Sequence, residues 1–207
     1  VNTVNYEYTD GTETASDLPR GYLNNDGTVK DEYLNPDTGS VLPGLIKYID
    51  GETVVDGTDI FGSTYTATTT NTYIFINGEP KVLSAVTRRT DETFLGITAY
   101  SETHMTYEYG SYIDPDTGRE NQSTIIGVTG YTDSKGRDIF GSTYITHTDN
   151  IYTVEKGQPV LQSADSTGTG GNFDLFGNPN ETSSIVTYTY SEVIGKDGRT
   201  TTLATSS

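Results

Sequence analysis

A 79-residue repeat constrains this chain more than any other feature. Residues 33–85 lie over residues 112–164 without a gap. Tyr33-Leu34-Asn35-Pro36-Asp37-Thr38-Gly39 answers to Tyr112-Ile113-Asp114-Pro115-Asp116-Thr117-Gly118. Asp59-Ile60-Phe61-Gly62-Ser63-Thr64-Tyr65 is identical to Asp138-Ile139-Phe140-Gly141-Ser142-Thr143-Tyr144. Asn71, Tyr73, Gly78, Pro80, Ser84 and Ala85 recur as Asn150, Tyr152, Gly157, Pro159, Ser163 and Ala164. Self-similarity at a fixed period of this size is the mark of a repeated structural unit.

The edges of the unit can also be found. Thr106-Tyr107-Glu108-Tyr109 stands just before the second Asp-Pro-Asp-Thr-Gly turn, and its counterpart is Asn5-Tyr6-Glu7-Tyr8. The first copy therefore carries about 22 extra residues between that strand and its turn, among them Asn24-Asn25-Asp26-Gly27, which is loop chemistry. A third opening strand follows at Thr187-Tyr188-Thr189-Tyr190. The chain thus divides into a first β repeat over 1–105 with an insertion at about 9–31, a second over 106–186, and the opening strand or hairpin of a partial third over 187–207.

Strand formers fill these units. The 207 residues include 16 Tyr and 6 Phe with abundant Thr, Val and Ile, while 23 Gly supply turns. No stretch sustains apolar recurrence at the helical period. Opening strands are predicted at Val4 to Tyr8 and Met105 to Tyr109. The Phe-Gly-Ser-Thr-Tyr strands are expected to run on to Thr70 and Thr148. Tyr73-Ile74-Phe75-Ile76 turns back at Asn77-Gly78 with type I′ chemistry, and Phe94 to Thr103 closes the unit. The expected fold class is all-β: tandem antiparallel β-sandwich-like repeats of about six or seven strands each, in preference to one internally symmetric barrel or solenoid.

Charge narrows the partners. A formal net charge of −17 leaves too few basic residues to grip phosphates, so nucleic acid is not expected. No apolar run approaches the length of a membrane span. There is no Cys, hence no disulfide framework or thiolate metal site. The N-terminal residues read as a mature or trimmed end, not a signal peptide.

A search for chemistry finds no nucleophile elbow and no phosphate loop. His104 and His147 have no second His nearby and read as exposed strand residues. Acidic residues sit in turns and recur with the repeat, which suits shape better than a single asymmetric active site; no enzyme is expected. Calcium is the one ion with positive support, because hard cations take several oxygens from a tight loop. The candidate ligands are Asp114, Asp116 and Glu120, the twin turn at Asn35 and Asp37, and the pairs Asp56/Asp59 and Asp133/Asp138. An ion-free Asx turn explains the same residues equally well. Asn121-Gln122-Ser123 and Asn180-Glu181-Thr182 are N-glycosylation sequons, so glycans are allowed at Asn121 and Asn180.

Acidity, absence of Cys, richness in Thr and Gly, and Asp-rich loops between strands give the chain a generic resemblance to the tandem β-domain modules of microbial surface adhesins and extracellular filaments. The resemblance implies an extracellular structural protein, a fibre subunit or adhesin stalk. Its partner would be a further copy of itself, by head-to-tail strand addition, or a cell-surface ligand. A calcium-dependent lectin- or peptide-type adhesin module is the alternative.

Overall fold

The computed structural model describes residues 1–113, 118–137, 141–155, 157–173, 179–194 and 200–205. The expected antiparallel all-β class is observed. Nine strands join one sheet in chain order: β1 (Asn2–Tyr8), β2 (Ile46–Thr58), β3 (Thr64–Ile76), β4 (Glu79–Glu92), β5 (Thr98–Ile113), β6 (Glu120–Arg137), β7 (Thr143–Glu155), β8 (Gln158–Phe173) and β9 (Pro179–Thr187). A separate hairpin pairs β10 (Thr189–Ile194) with β11 (Thr200–Thr205).

The strands are longer and fewer than the sequence suggests. Thr64 to Ile76 is one strand where two are expected, because the chain stays extended through Thr70 to Tyr73 and only a bulge marks the join. The closing strand expected from Phe94 starts later, since Thr93 to Ile97 forms a turn with Gly96 at φ +75°. That strand then runs without interruption into the opening strand of the second copy, and together they are β5. Each period therefore holds about four strands, not six or seven. With a strand in common, the two copies lie within one continuous layer instead of folding into separate paired sheets.

Pairing recurs with the sequence. Asn71 faces Ala85 and Asn150 faces Ala164; a bulge follows each, at Thr72/Tyr73 and Ile151/Tyr152. The type I′ turn forms as expected, with Asn77 at φ +50° and Gly78 at +77°. Beyond the second period, β9 with β10 spans 179–194 as β5 spans 98–113, and Ile194 opposite Thr200 mirrors Ile113 opposite Glu120.

Such a layer cannot rest on a conventional core. Among the described residues the buried apolar side chains are Leu18, Tyr22, Val41, Ile49, Phe75 and Val128. Cross-strand side-chain pairs do most of the remaining stabilisation, each contributing about 0.2–1 kcal/mol. One row is continuous across all nine strands: Asn2, Thr53, Thr69, Thr87, Thr103, Thr132, Thr148, Ser166 and Ser184 are successive partners. Within it, hydrogen bonds join Thr53 to Asn2 (2.9 Å), Thr69 to Thr87 (2.8 Å), Thr103 to Thr132 (3.0 Å) and Thr148 to Ser166 (2.9 Å). Gly57 and Gly136 stand opposite Tyr65 and Tyr144, whose rings occupy the space where a Cβ would project. A Gly–Tyr pair of this kind covers backbone with aromatic surface where no second sheet is available.

Among the described residues, the one compact cluster forms around the insertion. Three 3-10 turns, Ala15–Asp17, Arg20–Tyr22 and Asp31–Tyr33, and the isolated bridges Leu23↔Val29 and Leu34↔Val41 fold residues 9–45 into a cap. Thr9 pins its two ends: its N–H donates to Leu45 O (2.8 Å), its hydroxyl donates to Leu42 O (2.7 Å) and accepts from Leu45 N (2.9 Å). Leu18, fully buried Tyr22 and Val41 then close over Ile49 and Phe75 of the sheet.

Candidate functional site

The Asp-rich turns are built by their own backbones. Asn35 accepts from Asp37 N through Oδ1 (2.9 Å) and from Gly39 N through its carbonyl (2.8 Å), which closes an Asx turn. Gly39 and Gly118 hold φ of +69° and +65°, so the flanks of this turn match in the two copies. Asp59 accepts from Phe61 N (2.8 Å) and Ser63 N (2.9 Å). Partial desolvation works to raise its carboxyl, but those N–H donors outweigh it and leave it below the ordinary range. Asp56 is an exposed β2 residue opposite Thr66, and Glu120 begins β6 opposite Ile113. Asp133 stands far from the turns, paired with His147. Asp114, Asp116 and Asp138 lie outside the described residues. Among the described residues, no three His, Asp or Glu side chains come together as a metal-binding group.

The densest chemistry lies instead in mid-sheet, over β4 to β7. Arg88, Glu102, Asp133 and His147 are successive cross-strand partners, and His104 and Tyr131 pair in the next row of the same face. Glu102 accepts from Arg88 Nε (2.9 Å) and Tyr100 OH (2.7 Å), and its Oε1 lies 2.7 Å from His104 Nε2. The Tyr100 hydroxyl, followed by His104 and Arg88, drives its carboxyl down to about 2. His147 sets Nδ1 at 2.6 Å from Asp133 and Nε2 at 3.3 Å from Asp149. Asp133 chiefly, with Asp149, raises the His147 imidazole above its ordinary value. The Tyr131 ring stacks on His104 at 4.6 Å and lies 5.5 Å from His147.

This array is a charge-paired surface: Glu102 is shared by Arg88 and His104, and His147 lies between Asp133 and Asp149. Sequence reasoning read both histidines as plain exposed strand residues. Pairing places them beside Glu102 and Asp133, which only the strand register reveals. The counterparts of Asp133, His147 and Asp149 in the first copy are Val54, Thr68 and Thr70, so the array is not repeated.

Asn121 is exposed in β6, and Asn180 lies in β9. The outer strands of the nine-stranded sheet are β1, exposed along its length, and β9, whose Ile185 and Val186 are exposed. Among the described residues no helix is long and apolar enough to cross a membrane. No protein-family model, no curated protein and no solved structure matches this chain.

Proposed function

We propose that the protein is an extracellular structural element, a segment of a surface fibre or adhesin stalk that extends by adding strands to an open sheet. The observation that carries this reading is the pairing register. It recurs at the sequence period, the separate β10–β11 hairpin repeats the tip of the β5–β6 pairing, and the sheet has edges at β1 and β9. An uncapped edge offers a row of backbone donors and acceptors to another strand. Head-to-tail use of such edges gives open-ended assemblies. A surface of paired charges and hydroxyls without a convergent reactive group fits a scaffold better than a catalyst.

The test is assembly. Electron microscopy and sedimentation of the chain should reveal polymers that disappear when residues 184–207 are removed. An Ile185→Lys substitution, which places charge on the edge, should weaken them in the same way. Polymers that survive both changes would overturn the proposal.

A further inference from the structure

The two faces of the sheet differ in charge. Cross-strand partners share a face and successive residues alternate between faces, so the register sorts the paired side chains. One face carries the hydroxyl row, and the row beside it runs through Gly51, Asn71, Ala85, Met105, Gly130 and Asn150. Between the Gly51 and Gly57 rows its only charged side chains are Arg89 and Asp91, which pair with each other. Over the same span the opposite face carries Glu52, Asp56, Glu102, Asp133, Asp149 and Asp165, besides the basic and His residues of the mid-sheet array.

The repeat follows the same division. At the 79-residue offset Gly51, Thr53, Gly57, Tyr65, Thr69 and Asn71 recur unchanged at 130, 132, 136, 144, 148 and 150, all on the neutral face. On that face of β2 and β3, over 51–58 and 64–71, only Val55 and Ala67 differ, as Ser134 and Thr146. On the charged face over these residues Thr64 alone is kept, and Val54, Asp56, Thr68 and Thr70 become Asp133, Lys135, His147 and Asp149. Pairing within the layer would constrain both faces alike. A face held constant while its reverse changes is one that meets something of the same period.

We infer that the neutral face is a dimerisation surface, and that its occupant is the neutral face of a second chain, packed sheet on sheet. A second chain brings the same four-strand period, so the residues kept in both copies can face one another. Each chain carries a net charge of −17, and approach through the charged faces is opposed by repulsion. Scarce charge together with Tyr65, Tyr144, Met105 and Arg89 is the composition of an interface centre. Nine strands about 4.8 Å apart and six residue steps of about 3.4 Å give the face roughly 38 by 20 Å. That is close to the area of about 800 Å2 per partner that a stable complex buries. At one end the cap already covers the continuation of this face, at Ile49 and Phe75. Val128, Tyr152 and Val154, the second-copy equivalents of Ile49, Tyr73 and Phe75, stand outside that cluster and border a cleft.

Sedimentation equilibrium of the whole chain is the test, in wild type and in Ile185→Lys, where edge assembly is suppressed. Both should show a concentration-dependent monomer–dimer equilibrium, so the edge proposal can fail without touching this one. Ser134→Lys, in the centre of the neutral face, should weaken the dimer at least about a hundredfold, because it leaves an unpaired charge in the contact. Thr167→Lys places the same charge on the opposite face and should leave the dimer intact. Circular dichroism of both variants should match wild type, since each side chain is open to water in the single chain. A chain that stays monomeric at millimolar concentration would overturn the inference. So would a dimer that survives Ser134→Lys, or one that Thr167→Lys weakens equally.

Discussion

The two copies pair alike up to Gly51↔Asn71 and Thr129↔Ile151 and differ in what covers the strands beyond those points. In the first, Leu18, Tyr22 and Val41 bury Ile49 and Phe75; in the second, Val128 is buried but Val154 and Tyr152 remain half-exposed at a cleft. The contrast separates two sources of stability in one molecule. One is a small packed core, where truncation leaves a cavity. The other is a ladder of cross-strand pairs, where each member contributes a little and neighbours are replaceable.

Substitution at equivalent positions is the sharpest way to break that comparison. Phe75→Ala should cost about 3–5 kcal/mol, whereas Val154→Ala should cost no more than about 1 kcal/mol, since part of that side chain is already wet. Urea unfolding of both variants gives the ratio, and equal losses would show that the cap does not make a separate core. Gly21→Ala comes next. Its Cβ must displace the Phe75 carbonyl, and about 1–3 kcal/mol of overpacking is expected. The loss should appear as faster amide exchange in residues 9–45 and leave β5 to β8 protected.

Ladder substitutions should be smaller. Thr103→Val removes one hydroxyl pair with Thr132 and should cost about 0.5–1.5 kcal/mol. A loss larger than Phe75→Ala would invert the ranking of core and ladder.

The smallest effect expected is pH-dependent. His147 holds its proton more tightly in the folded sheet, so its contribution is fully present below about pH 6.5 and fades as pH rises through the raised folded value. Glu102 runs the other way: its contribution is present above the ordinary carboxyl value and is lost as pH falls towards about 2. The His147 side chain is 46% exposed, so its pairs should add no more than about 1 kcal/mol. Unfolding midpoints between pH 5.5 and 8 should decline gently with rising pH, and His147→Gln should flatten that slope.

Much of this plan was legible in the residues. Tyr, Thr, Val and Gly in short alternation dictate strands, and Asn77-Gly78 dictates its turn. What periodicity misreads is where a strand ends. Thr70, Asn71 and Thr72 look like a break, yet they pair with Val86, Ala85 and Ser84, and only a bulge separates them from Tyr73. In the insertion only Asn24 to Gly27 dictates its structure, a loop. Leu18 and Tyr22 within it and Tyr33 just after it join the core, but no periodicity links them because they lie on or just after separate 3-10 turns. The site fared worse. Carboxylates in turns drew attention as cation ligands, while Asn35 and Asp59 turned out to cap their own backbones. The mid-sheet cluster of Glu102, His104, Asp133 and His147 depends on register across four strands, which no local pattern encodes.

The row of polar side chains from Asn2 to Ser184 runs across all nine strands of the main sheet, and so marks the direction in which the layer lengthens. Neighbouring strands lie about 4.8 Å apart, so four more strands per period extend it by roughly 19 Å. Tension applied between β1 and β9 would act along the backbone hydrogen bonds and load them one pair at a time. A tether built this way would peel open under modest force and zip closed on release, serving as an extensible spring in place of a rigid rod.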